Sequence, residues 1–168
     1  MGDRQHVWLA SGVLGYCVLP GHACGNAVNH ADQGMIAYIP ADSAAAIWDS
    51  VEPLVRKSLR GIESEVTPAD ILGGIIDRNL MLLVVDPESP IGVVILSHKR
   101  TPQIAFLEID LIGGTDMAKW MTDAHNSIIL IAKRLGVSKV KALGRKGWHK
   151  HAAALGFKPK RTLFEMEI

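Results

Sequence analysis

The sequence predicts an α/β domain built on a mixed sheet, with helices on both faces. An apolar run at residues 80–85 and two further strand-like segments, joined by short turns, predict a three-strand antiparallel meander. Apolar residues at helical spacing between positions 117 and 135 predict a long helix after the meander. A strand-like segment at residues 137–143 follows at once, so the strand–helix–strand step is expected to be a parallel crossover.

Composition fits one globular domain. The chain has 168 residues, of which 48% are hydrophobic and 21% charged, enough for a full-sized core. No apolar run approaches the roughly 18 residues that cross a bilayer, which predicts a protein without a membrane segment. The cysteines, Cys17 and Cys24, lack the spacing of a zinc site, so we expect free thiols and no metal. A disulfide between them would require an oxidising compartment.

The first 34 residues differ from the rest of the chain. They are rich in Gly, Ala, Cys and His and show neither helical nor strand periodicity, whereas the globular pattern begins at Met35. We therefore divide the chain into an irregular extension, residues 1–34, and a domain, residues 35–168. The extension either orders against a partner or lies upstream of a true start at Met35. Its apolar residues 7–19 only partly resemble a secretory signal.

The domain begins with a strand and a helical region. Residues 35–39 predict a short strand. Asp42 or Ser43 is expected to cap the helix that follows, whose apolar residues recur at i, i+3, i+4 and i+7. Pro53 is expected to kink or divide that helix, because proline removes a backbone donor and clashes with the preceding turn.

The next helix and the meander follow in order. Thr67 and Pro68 predict a helix start, a capping hydroxyl followed by proline at the first position, and the helix is expected to run to Arg78. The first meander strand is apolar throughout, as in a strand buried on both faces. The three meander strands are predicted at residues 80–85, 91–97 and 104–112.

The third meander strand is the most informative. Strict alternation is expected to place Phe106, Glu108 and Asp110 on one face. The same alternation places Leu107, Ile109 and Leu111 on the other face. Two glycines at 113 and 114 are expected to end the strand before the long helix begins.

The long helix and the closing elements complete the predicted order. The helix begins near Asp116, and Gly136 is expected to form its left-handed cap. The strand at residues 137–143 should direct Lys139 and Lys141 outward. A short helix at residues 148–155 and a last strand at residues 162–168 end the chain.

Charge is segregated along the sequence. The net charge is only +1, yet no acidic residue lies between Asp123 and Glu165, a stretch with ten of the eighteen Lys and Arg residues. Such a surface predicts either a solvated face or an anionic partner, namely an acidic protein, a nucleic-acid backbone or a phosphate-bearing ligand. No base-reading motif accompanies it. The expected docking residues are Lys139, Lys141, Arg145, Lys146 and Lys150.

The order of elements over residues 35–168 resembles the GNAT (Gcn5-related N-acetyltransferase) fold. The closing segment carries the resemblance: a helix ending in Ala132-x-x-x-Gly136, a strand, a short helix, and Gly156-Phe157. Gly-Gly before the long helix and Gly-Arg-x-Gly-Trp before the short one resemble GNAT-like proteins of bacteriophages, including internal virion proteins. The resemblance implies a GNAT-like mixed sheet and a possible acetyl-CoA site.

In GNAT enzymes the loop before the long helix binds the pyrophosphate of acetyl-CoA, since amides at a helix N-terminus hold anions. Here that loop lacks the basic or amide residue that opens the family motif, and Asp116 adds a negative charge. Alternatively, Thr115 and Asp116 simply cap the helix. The resemblance assigns cofactor contacts to Leu111, Ile112, Gly113, Gly114, Thr115, Asp116 and Met117.

The resemblance also assigns catalytic roles. Many GNAT enzymes carry a tyrosine four residues before the Gly-Phe pair to protonate the leaving thiolate, and this chain has Ala152 there. His149 or His151 could replace it, because imidazole titrates near neutral pH, or both could be exposed surface residues. Glu108, with Asp110 beside it, is the expected general base; the alternative is a solvated or helix-paired strand face.

Two functions remain open from the sequence. The departures in the loop and at Ala152 favour a non-catalytic phage virion or assembly component, without a cofactor, acting with protein partners in the host cytoplasm or the virion. The alternative is an N-acyltransferase that uses acetyl-CoA to modify an unknown amine, with Glu108 as base.

Overall fold

The computed structural model describes residues 35–60, 65–143 and 146–160. The predicted last strand, the extension and both cysteines lie outside the described residues. Within the described ranges no helix is long and apolar enough to cross a membrane, and no cluster of side chains is suited to a metal ion. The elements are β1 (Ile36–Ile39), α1 (Ala41–Ser58), α2 (Pro68–Ile76), β2 (Met81–Val85), β3 (Gly92–Arg100), β4 (Ala105–Gly114), α3 (Met117–Arg134), β5 (Val140–Ala142) and α4 (His149–Ala154).

The five strands form one sheet in the order β1-β2-β3-β4-β5. The first four are antiparallel neighbours, whereas β5 runs parallel to β4. Short turns can join only antiparallel strands, and the 18-residue helix α3 is long enough to return the chain for a parallel pair. The predicted mixed sheet with one parallel crossover is confirmed.

Helices cover both faces of the sheet. All five residues of β2 are buried, as the apolar run predicts. Alternate β2 residues enter two cores: Leu83 and Val85 pack with α3, whereas Leu82 and Val84 pack with α1 and α2. Each fully buried aliphatic side chain stabilises the fold by roughly 1.5–3 kcal/mol relative to exposure. The sheet is thus the shared wall of two hydrophobic layers.

Helix α1 differs from the prediction at two points. It runs unbroken through Pro53, which lies on the exposed side. The buried stripe of Ala44, Trp48, Val51 and Val55 fastens the helix to the sheet on both sides of the proline, and this packing outweighs one lost hydrogen bond. No side chain caps the helix, which begins directly after Pro40; the Asp42 carboxylate instead accepts from Arg78 at 3.2 Å.

Helix α2 begins as predicted. The Thr67 hydroxyl accepts from the Asp70 amide at 3.2 Å, and the Asp70 carboxylate accepts from the Thr67 amide at 2.8 Å. This reciprocal capping box satisfies two backbone donors that a helix start leaves free. The helix ends at Ile76, two residues before the predicted end, and Arg78 has a left-handed φ of 61°.

Strand β4 corrects two predictions. It continues through both glycines, and Gly114 pairs with Gly92 at the start of β3. The register shifts between Ile95 and Leu96, so Asp110 is an extra residue on β4, a β-bulge. Alternation breaks there: Leu107 and Ile109 pack with α3, whereas Leu111 packs with α1. The prediction that Leu111 shares a face with Leu107 is therefore wrong.

Candidate functional site

The bulge separates β4 from β5. Strand β5 pairs with Leu107, Glu108 and Ile109 and with no residue beyond them. Within the described part of the chain, β4 from Asp110 to Gly114 therefore has β3 on one side and no strand on the other. An unpaired strand edge presents backbone donors and acceptors to any extended ligand that lies along it.

The loop after β4 is held firmly. Gly114 has φ 157°, and a Cβ atom there would lie 2.3 Å from the Ile91 carbonyl oxygen, so a larger residue does not fit. The Thr115 amide donates to that same oxygen at 2.8 Å. The Thr115 carbonyl accepts from the indole Nε1 of the buried Trp120, also at 2.8 Å. The backbone that leads into α3 is thus fixed from both sides.

No side chain caps the N-terminus of α3. The Thr115 hydroxyl donates to the Ile91 carbonyl at 3.4 Å instead, and Asp116 has a left-handed backbone with φ 49°. The expectation that these residues cap the helix is therefore wrong. The first-turn amides of Met117 and Ala118 therefore have no capping side chain among the described residues, at the end where a helix carries partial positive charge.

Lys119 neutralises the acid in this loop. Its Nζ lies 2.9 Å from a carboxylate oxygen of Asp116, and both side chains are exposed. The hydrogen bond from Lys119 holds the pKa of Asp116 below its ordinary value, and the Lys119 pKa is raised in return. Sequence reasoning missed Lys119, although its i,i+3 spacing from Asp116 is a recognisable helix pairing. The negative charge expected to repel a phosphate is therefore offset.

Glu108 lies on the sheet face that carries α1, because its neighbours Leu107 and Ile109 pack on the α3 side. It is half-buried, directly opposite Ser97 on β3 and Lys141 on β5. The Lys141 ammonium lies 3.3 Å from the centre of the Phe106 ring, a cation–π contact. The alternating pattern predicted that Asp110 would share a face with Glu108. Asp110 is instead the exposed extra residue of the bulge, so the regular alternation does not extend to it.

No family model matches the chain, and no curated protein matches it by sequence. Solved structures do match its shape. A GCN5-related N-acetyltransferase from Ralstonia eutropha JMP134 is similar with a TM-score of 0.58 at 11% identity, over 79% of this chain and 97% of that one. A ribosomal-protein-alanine N-acetyltransferase from Brucella melitensis biovar Abortus 2308 gives 0.56 at 16%, over 79% and 97%.

A third structure, a predicted acetyltransferase from Clostridium acetobutylicum with acetyl-CoA, gives a TM-score of 0.57 at 10% identity, over 79% of this chain and 94% of that one. The domain has the GNAT fold. The bulged β4, the uncapped α3 and the parallel β5 are thus parts of a GNAT fold, and the fold resemblance drawn from the sequence is confirmed. The phage attribution stays a prediction.

Ala152, to which the sequence resemblance assigns the tyrosine position of GNAT enzymes, has a half-buried side chain. His151 is exposed and lies edge-on to Trp148, with 6.1 Å between ring centroids. Phe157, just after α4, packs against the α3 core. No contact among the described residues joins His151 to Glu108, which faces the α1 layer. The side chain of His149 lies outside the described part.

The predicted docking residues lie on β5, on α4 and on the segments that flank them, and the structure describes three of the five side chains. Lys139, Lys141 and Lys150 are exposed, as expected. Lys141 lies beside Glu108 and over Phe106, so it belongs to the candidate catalytic face. The side chains of Arg145 and Lys146 lie outside the described residues. The role of these residues in docking a partner stays a prediction.

Proposed function

We propose that the protein is an acyl-CoA-dependent N-acyltransferase, with acetyl-CoA as the simplest donor. One observation carries the proposal: the edge of β4 that no described strand pairs leads directly into the uncapped first turn of α3. An extended chain with amide groups can hydrogen-bond along such an edge, and a pyrophosphate can accept from the amides of Met117 and Ala118. The coenzyme A tail has both parts in this order. The similar structure with acetyl-CoA supports the assignment.

Glu108 is the residue placed to serve as base. The acceptor amine must lose a proton as its nitrogen attacks the thioester carbonyl carbon, and the carbon–sulfur bond then breaks to release a thiolate. Glu108 lies on β4 two positions before the unpaired edge and can take the amine proton directly or through one water. Ala152 has no proton to donate, so in this proposal the thiolate is protonated by solvent.

Two observations favour a second candidate, a non-catalytic protein that binds an acidic partner, as in the phage virion hypothesis. Ala152 removes the usual acid, and Lys139 and Lys150 are exposed. We rank it second because Lys119 offsets the charge of Asp116, which was half of the sequence argument for a degenerate loop.

Calorimetry with acetyl-CoA on two variants of Ala118 tests the cofactor site. Ala118 is exposed at the second position of α3. Ala118→Glu places a carboxylate where the pyrophosphate is proposed to bind, and acidic residues in a first turn stabilise a helix. We expect micromolar binding by the unsubstituted protein, and binding at least about tenfold weaker in Ala118→Glu, since close like charges cost on the order of 1 kcal/mol or more.

Ala118→Gln, which has the same size without the charge, is the matched control and should bind normally. Equal affinity in both variants, or no binding by the unsubstituted protein, contradicts the cofactor site. Substitution of Gly114 is a poor test because any Cβ meets the Ile91 backbone.

Release of the coenzyme A thiol in the presence of a panel of amines tests catalysis. Glu108→Gln should lower kcat by about 10²–10⁴-fold with little change in acetyl-CoA affinity, as expected for loss of a general base. Binding of acetyl-CoA without transfer to any amine favours the non-catalytic candidate.

A further inference from the structure

Three polar side chains form a row across the sheet, on the face that carries α1 and α2. Ser97 on β3 is the direct cross-strand partner of Glu108 on β4, and Glu108 is the partner of Lys141 on β5. Ser97 belongs to this face because Val93 and Ile95, two and four positions earlier on β3, pack in the α1 and α2 core. The row is thus a hydroxyl, a carboxylate and an ammonium at successive strands.

The Ser97 hydroxyl has no hydrogen-bond partner among the residues that the structure describes. The residue is 1% exposed, and its Oγ is the one buried side-chain polar atom of the described residues that makes no hydrogen bond. Such a group destabilises the folded protein if it stays unpaired. Alanine at the same position would carry no such cost. Because buried polar groups are nearly always hydrogen-bonded, we expect an acceptor for this hydroxyl nearby.

Glu108 is the nearest acceptor by register. Direct cross-strand partners have Cβ atoms about 4.5–5.5 Å apart, within reach of a hydroxyl and a glutamate that share one water or meet directly. Neither a hydrogen bond nor an ion pair joins the Glu108 carboxylate to another described residue.

Lys141 is not the partner of the Glu108 carboxylate. Its ammonium lies over the Phe106 ring, 3.3 Å from the ring centre, and forms no ion pair with Glu108. Phe106 shares the face with Glu108, two positions earlier on β4. The ring therefore holds the ammonium, and the cross-strand neighbour of Glu108 on the β3 side is Ser97.

We propose that Ser97 is a positioning residue, whose hydroxyl donates a hydrogen bond to the Glu108 carboxylate through one buried water and so orients the base towards the acceptor amine. Ser97 is not expected to touch either substrate. This inference rests on the proposed N-acyltransferase function, and it adds the group that holds the base in place. A hydroxyl aimed at the charged carboxylate favours the form that can accept a proton.

Kinetics of Ser97→Ala test the positioning role. We expect kcat to fall about tenfold while the KM for acetyl-CoA is unchanged, since one orienting hydrogen bond is lost and the base itself remains. The acidic limb of the pH–rate profile should move to higher pH, because the charged carboxylate loses a donor. Ser97→Thr keeps the hydroxyl and should recover most of the rate.

The matched control is Ser50→Ala, which removes an exposed serine hydroxyl that bonds only to the Ile47 carbonyl on α1. It should leave both kcat and the pH profile unchanged. A Ser97→Ala enzyme with an unmoved acidic limb would overturn the inference, even if its rate falls.

A double-mutant cycle on thermal midpoints tests the contact without any activity. Ser97→Ala should lower the midpoint in the unsubstituted protein, because a hydrogen bond to Glu108 is lost. In a Glu108→Ala background the same substitution should leave the midpoint unchanged or raise it, because the hydroxyl then has no acceptor to lose. Equal shifts in both backgrounds overturn the inference whether or not acyl transfer is observed. A coupled cycle without acyl transfer supports the Ser97–Glu108 contact and contradicts the proposed function alone.

Discussion

At the residue scale, the backbone conformation of Asp116 prevents its side chain from capping α3. Aspartate often caps a helix, but a capping residue needs an extended backbone, and here φ is 49°. Asp and Asn adopt this left-handed conformation more readily than most residues. The carboxylate therefore turns to Lys119, and the amides of the first turn stay available.

Lys119→Met should weaken acetyl-CoA binding several-fold at low salt. The substitution leaves the Asp116 carboxylate unpaired beside the proposed pyrophosphate site, where like charges repel. Calorimetry at low and high salt measures the effect, which screening should reduce. Lys133→Met, at the far end of α3, is the control and should bind normally. Unchanged affinity in Lys119→Met would show that Asp116 lies away from the bound anion.

A second residue-scale prediction concerns the pH dependence of the α2 capping box. Hydrogen bonds from the Thr67 hydroxyl and amide hold the pKa of Asp70 below its ordinary 3.8. The unfolded chain therefore binds this proton at higher pH than the folded one, so the stabilisation is present above 3.8 and is lost as the pH falls through the folded-state value.

Asp70→Asn tests this. Near neutral pH the variant should have a lower melting temperature than the unsubstituted protein. This difference in melting temperature should shrink as the pH falls below 3.8. Thermal melts across acidic pH provide the measurement. Asp77→Asn, just after the same helix, is the control. A difference that stays constant with pH contradicts the prediction.

At the element scale, α1 shows packing outweighing local preference. Proline inside a helix removes a donor and strains the preceding turn, yet buried side chains on both sides of Pro53 hold the helix straight enough to continue. In strand β4, pairing with a neighbouring strand likewise outweighs local preference. Its glycines continue the strand because Gly113 and Gly114 pair with Val93 and Gly92 across the ladder.

Pro53→Ala should raise the unfolding free energy by about 1–3 kcal/mol, because it restores one backbone hydrogen bond and favours the helical conformation. Pro53 is exposed, so the substitution opens no cavity. Urea denaturation measures the change, with Lys57→Ala on the same helix as a control expected to be near neutral. Loss of stability in Pro53→Ala would mean that the proline makes a contact that the helix needs.

At the scale of the whole molecule, the sequence predicts that residues 35–168 form the domain without the first 34 residues. Among the described residues, the buried members of the two cores begin at Ile36 and occupy both faces of one sheet. A chain of residues 35–168 should therefore unfold in one cooperative transition with a midpoint within a few degrees of the full chain. Differential scanning calorimetry compares the two. A broad or shifted transition in the shorter chain would show that residues 1–34 contribute to the core.

How much could be predicted from the sequence depends on the range of the interactions involved. The Thr67 cap, the stripe on α3 and the left-handed Gly136 follow from residues within a few positions of each other, and all are confirmed. The β4 bulge does not follow from neighbouring residues, because the shift at Asp110 depends on the register with β3. An alternating pattern cannot show which position is the extra one.

The residues of the candidate site also differ in whether the sequence could indicate them. Glu108 is assigned as a base by the resemblance to GNAT enzymes, and the structure places it half-buried on the α1 face. Lys119 was missed because a lysine on a helix surface is ordinary until its partner is known. Ser97 was missed because a serine at the end of an apolar run gives no sign that its hydroxyl will be buried opposite a carboxylate.

The sequence by itself determined the mixed sheet, the order of elements and the resemblance to a GNAT fold, since periodicity and turn residues act locally along the chain. Only the tertiary structure decided three features: that β4 bulges and separates from β5, that α3 begins without a cap, and that Ser97, Glu108 and Lys141 align across three strands. The physical reason is that register, backbone handedness and burial are set by contacts between elements distant in sequence, and these contacts form the candidate site.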